Sequence, residues 1–148
     1  MSETRLDLID PNLLTRLQTA SEPALRRVAL AACQFALKRT GLVHPLLEQA
    51  LRELASNPAP PTHLGAALEQ LVESLDEIYF DLHEAAEIGQ AEGAGWKVAF
   101  CKARAAQAVY FAVTKDAYIA ASESIYEANA ATKDLDSLRR VVIEALQG

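Results

Sequence analysis

Residues 64–87 read LGAALEQLVESLDEIYFDLHEAAE, and within them Leu64, Leu68, Leu71, Leu75, Ile78, Leu82 and Ala85 recur at alternating steps of four and three. Steps of that size return each side chain to one side of a turn of about 3.6 residues, so the spacing predicts a helix over 63–89 with an apolar seam of the kind that packs in bundles. At about 100° of rotation per residue, Glu69, Glu73, Asp76, Glu77, Asp81, Glu84 and Glu87 fall within an arc of about 140° opposite that seam. Phe80 projects to the centre of this acidic face and Ile88 to its edge.

The charge of the chain is concentrated here. Residues 64–96 hold eight acids, the seven above and Glu92, and no lysine or arginine, whereas the whole chain of 148 residues has 14 basic and 20 acidic residues. The remainder is therefore 14 minus 12, or plus two, and this one segment supplies the net charge of minus six. Carboxylates four apart, Glu69 with Glu73, Glu73 with Glu77 and Glu77 with Asp81, repel by a few tenths of a kcal/mol each, with no interleaved lysine to reverse the sign. A surface shaped by stability alone would mix its charges. A phenylalanine ringed by carboxylates suits a partner that is apolar at its centre and basic at its rim.

Outward from this segment the same helical period continues. Asp10-Pro11 is a start signal, a capping carboxylate followed by a proline in the first turn, and a short helix to about Gln18 follows. Ser21-Glu22-Pro23 repeats that chemistry for a helix through Leu25, Val28, Ala32 and Ala36 to Gly41, with Lys38 and Arg39 in the last turn to suit the dipole. His44-Pro45 opens a third, ended by the prolines of 57–61. After a polar loop at 90–95, Trp96 opens a helix whose apolar residues point nearly all round, the mark of a central position. Lys115-Asp116 turns the chain into a helix to Thr132, and Asp134 caps a last one. No alternating strand pattern occurs. The expectation is an all-α fold, a compact bundle of six or seven antiparallel helices joined by short loops, in a single domain over 1–148. Alanine density in the second half predicts close approach of helix backbones.

Composition narrows the function classes. Half the residues are hydrophobic and glycine and proline are few, as in a helical globular protein. The first ten residues carry acids where a signal peptide would have a basic end and an apolar run, and the longest apolar passages fall far short of the roughly 20 residues of a bilayer span, so a cytoplasmic protein with no membrane partner is expected. Cys33 and Cys101 stand far apart in alanine-rich helices and read as packed thiols. A di-iron bundle would supply Glu-x-x-His pairs, but Phe80 stands three residues before His83, so no metal and no cofactor is expected. A phosphate loop, a nucleophile elbow and a Cys-x-x-Cys pair are all missing, which points away from an enzyme. Net charge minus six with no basic cluster argues against nucleic acid. Tyr118, Ser122, Ile125, Tyr126 and Asn129 share one side of the sixth helix, either lining a pocket or marking its passage from core to solvent.

The run from Ala24 to Leu42 and the alanine-rich passage from Ala103 to Ala131 resemble, in texture rather than by a motif, the small helical immunity proteins encoded beside bacterial polymorphic toxins. That resemblance implies stoichiometric inhibition of a cognate toxin, often a basic nuclease, by an acidic surface. The expectation is thus a non-enzymatic module presenting Glu69, Glu73, Asp76, Glu77, Phe80, Asp81, Glu84 and Glu87 to a basic protein partner. Four other readings stay open from the residues alone: a merely solvated acidic stripe, a stripe paired internally with Arg26, Arg27, Lys38, Arg39 or Arg52, a homodimer joined through the helical seams, and a carboxylate-based metal protein.

Overall fold

A computed structural model describes residues 4–89 and 94–148. Among them the chain forms seven α-helices: α1 (Pro11–Gln18), α2 (Glu22–Thr40), α3 (Pro45–Ser56), α4 (Gly65–Glu87), α5 (Ala94–Ala112), α6 (Ala117–Thr132) and α7 (Leu135–Gln147), with 3-10 turns at Arg5–Leu8 and Thr62–Leu64 and no strand. The caps are those the sequence signals. Asp10, Ser21, Asp116 and Asp134 each accept the N–H three residues on, at 3.1, 3.3, 3.0 and 3.2 Å, and His44 Nδ1 accepts from the Leu46 N–H at 3.1 Å. These acceptors satisfy N–H groups that the first turn leaves without partners. Gly41 ends α2 at φ 70°, a conformation glycine adopts without steric cost.

Helices α2, α5 and α6 pack on one another at the centre, α4 lies along α5, and α7 lies along α2. The close approach is made by alanine: Ala29, Ala32, Ala36, Ala105, Ala106, Ala108, Ala112, Ala120, Ala121 and Ala128 are all fully buried. On one side of this layer, Leu6, Leu13, Leu17, Leu138 and Val142 bring the first turn, α1 and α7 against α2 and α6. On the other, Leu47, Leu54, Leu64, Leu68 and Val72 bring α3 and α4 against α2 and α5.

Three expectations are corrected in detail. The fourth helix proper spans 65–87 rather than 63–89, its first turn wound as the 3-10 segment. The fifth begins at Ala94 rather than at Trp96, so Gly95 is helical, and residues 90–93 of the expected loop lie outside the described residues. The buried line of α4 is turned by about 60° from the leucine seam. Leu64, Leu68 and Val72 are buried and Leu71, Leu75, Tyr79 and His83 partly so, while Ile78 and Leu82 are 52% and 36% exposed. The cause is aromatic. Tyr79 packs on Phe100 and Trp96 of α5 at centroid distances of 5.2 and 6.0 Å, and His83 meets Trp96 edge-on at 4.6 Å, large contacts that outweigh exposing two aliphatic side chains.

Candidate functional site

Because α4 is covered mainly by α5, one long flank of it faces outward. Glu69, Glu73, Glu77, Asp81, Glu84 and Glu87 are all exposed on that flank, with Phe80 among them at 60% and Ile88 at 63% exposure. The Phe80 ring is tilted against that of Tyr79 at a centroid distance of 5.0 Å. Among the described residues no lysine or arginine nitrogen lies within 4.0 Å of these six carboxylates, and the one charged-group contact is His83 Nδ1 to Glu87 Oε1 at 3.5 Å.

Asp76 is the exception. The rotation of α4 brings it to the α5 side, half-buried, where Arg104 Nη2 donates to its Oδ1 at 2.9 Å. Arg104 also donates to Glu127 Oε1 at 3.3 Å, and Arg5 donates to Glu127 Oε2 at 2.6 Å and to Glu123 Oε2 at 2.8 Å. A chain of charge thus runs from α4 through α5 and α6 to the first turn, with Glu127 1% exposed at its centre. A carboxylate so buried requires such partners, since unpaired it would bear a desolvation cost of several kcal/mol. Asp76 belongs to this structural network and not to the exposed face. Arg104, which the sequence reading did not single out, had one signal: an arginine flanked by alanines in a helix expected to be central needs carboxylates from its neighbours.

The basic residues of the amino-terminal half go elsewhere. Arg26 donates to the carbonyls of Thr114 and Lys115 at 2.9 and 2.6 Å, beyond the end of α5, and Arg27 to that of Ala145 at 2.9 Å near the end of α7. Helix ends leave carbonyl oxygens without intrahelical partners, and guanidinium groups supply donors to them. Arg39 donates to Asp134 Oδ2 at 2.9 Å, and this bond chiefly holds the Asp134 carboxyl below its usual range. Lys38 and Arg52 form no ion pair among the described residues. The internal pairing considered for the acidic stripe is therefore confined to Asp76, and its cation comes from α5.

The residues singled out on α6 divide between core and rim. Ser122 and Ile125 are fully buried, and Tyr126 lies under the Arg5 guanidinium at 4.3 Å. Burial pushes the Cys33 thiol up to about 12, the state of a packed rather than a reactive cysteine, whereas Cys101, expected to be packed as well, is only partly buried. Among the described residues no group of three or more His, Cys, Asp or Glu side chains is arranged to hold a metal ion, and no helix is long and apolar enough to cross a membrane. Compared with known proteins, the chain matches no family model, no curated protein and no solved structure.

Proposed function

We propose that this protein is a non-enzymatic binding module that docks a basic protein through the outward flank of α4. The observation that carries the reading is the exposure of Phe80 amid six carboxylates without a lysine or arginine counter-charge from the described chain. Such a face steers a cationic partner by long-range attraction, and an exposed ring at its centre offers the apolar anchor that affinity requires. The texture shared with toxin-neutralising immunity proteins favours a basic toxin as that partner, held in a stoichiometric complex.

The test is interferometry against whichever basic protein co-purifies with this chain. Glu73→Lys, Glu77→Lys and Asp81→Lys together are expected to abolish binding with the far-ultraviolet dichroism unchanged. Phe80→Ala is expected to weaken it by about 2 kcal/mol, as for an interface anchor, chiefly through faster dissociation. Association by the unaltered chain is expected to slow steeply as salt rises. Undiminished binding by the triple variant would refute the reading. A second reading, self-association, is favoured by the exposure of Ile78 and Leu82, and light scattering that returns the monomer mass at all concentrations would remove it.

A further inference from the structure

On the other side of α4 from the acidic flank, Tyr79, Trp96, Lys97, Phe100, Cys101 and Lys133 line a cleft of about 480 Å³, within the span of roughly 300–1,000 Å³ usual for small-molecule sites. Three of these six are aromatic. The Tyr79 ring meets Phe100 at 66° and Trp96 at 45°, so their faces do not stack on one another. Two ammonium groups flank them: Lys133 Nζ stands 5.8 Å from the Phe100 centroid and Lys97 Nζ 5.8 Å from that of Trp96. Both lysines are exposed, and neither meets a carboxylate within 4.0 Å among the described residues. Arg104, 5.9 Å from Phe100, is already held by Asp76 and Glu127.

The backbone beneath Lys133 is itself unusual. It sits at φ 56° in the left-handed region, closing α6, and is the one non-glycine residue so placed among the described residues. Glycine would cap the helix there without the steric cost a side chain incurs. A lysine at this corner gives up stability and places an ammonium over the cleft.

We infer that the cleft between α4, α5 and the α6–α7 corner binds a small aromatic carboxylate, its ring against Tyr79, Trp96 and Phe100 and its carboxylate between Lys97 and Lys133. Apolar walls with a few placed cations are what such a ligand needs, since the rings supply contact area and the ammonium groups supply charge-assisted hydrogen bonds. The inference stands apart from the acidic flank, which lies on another side of α4.

Trp96 is the single tryptophan of the chain, so its emission reports on the cleft directly. Titration with 3-phenylpropionate is expected to give a saturable change in that emission and to protect Cys101 from iodoacetamide, Cys33 being buried and unreactive throughout. The neutral 3-phenylpropionamide and the aliphatic octanoate are each expected to bind about tenfold more weakly or worse, the equivalent of one charge-assisted contact or one ring contact. Lys133→Gly, which relieves the backbone and leaves the fold intact, is expected to weaken 3-phenylpropionate about tenfold, and Lys97→Met to act in the same direction. The inference is overturned if Trp96 emission does not saturate and Cys101 stays unprotected, if amide or octanoate binds as well as the acid, or if Lys133→Gly binds undiminished.

Discussion

Glu77→Lys should make the protein more stable while removing it from its proposed work. Glu77 is exposed, its neighbours three residues away are the uncharged Ser74 and Phe80, and its neighbours four residues away are Glu73 and Asp81, both exposed acids. An opposite-charge pair at that spacing stabilises a helix by about 0.2–0.5 kcal/mol and a like-charge pair costs a similar amount. Reversing the charge at 77 thus changes each of two pairs by about 0.4–1 kcal/mol. The pair in which lysine precedes the acid has the poorer orientation, and salt screens both, so the net gain is about 1 kcal/mol. For a domain of this size that raises the unfolding midpoint by about 2–4 °C. Thermal melts followed by circular dichroism at low ionic strength and again at about 1 M salt, where the screening length falls to about 3 Å, provide the assay. The gain should be largest in low salt and shrink in high salt. A lowered midpoint, or a rise indifferent to salt, would refute the view that this flank holds uncompensated like charge. A stabilised variant that no longer binds the basic partner would show why unfavourable charge is kept there.

The turned packing of α4 predicts that Leu68→Ala costs about 2–5 kcal/mol, as for a fully buried leucine, whereas Ile78→Ala costs less than about 1 kcal/mol despite its place in the leucine seam; urea unfolding separates the two. Glu127→Gln should cost about 2–3 kcal/mol by the same measurement, below the usual figure for a broken buried pair because Arg5 keeps Glu123 and Arg104 keeps Asp76. An effect under about 0.5 kcal/mol, typical of surface sites, would remove the network from the account of stability. A colorimetric thiol assay near neutral pH should count one reactive cysteine in the folded protein, Cys101, and two after denaturation. Cys33 is raised to about 12 from an unfolded value of 9.0, so the stability gained by keeping it protonated is fully present below pH 9 and is lost as pH climbs towards 12.

Most helix starts and stops were legible because they are local, and the helix number was legible to within one. Asp10-Pro11, Ser21, His44-Pro45, Asp116 and Asp134 bond N–H groups two or three residues ahead, a matter of sequence spacing alone. The crowding of alanine along α5 and α6 likewise announced backbones in close contact. The acidic face was legible for six of its seven carboxylates and for Phe80, because the angle between two residues of one helix follows from their separation.

What residue spacing left undecided is which line of α4 turns inward. The run from Leu64 to Ala85 and the run through Val72, Tyr79 and His83 are both apolar enough to be buried. The choice fell to Trp96 and Phe100, which lie on another helix and select Tyr79 as their partner. That same rotation carried Asp76 to Arg104 and left Ile78 and Leu82 in solvent. It also opened the cleft at Lys133, whose walls come from three separate parts of the chain. Local hydrogen bonding and helical period act over four residues and can be read in order along the chain. The facing of one helix towards another is settled by contacts between residues tens of positions apart, and only the folded arrangement supplies those.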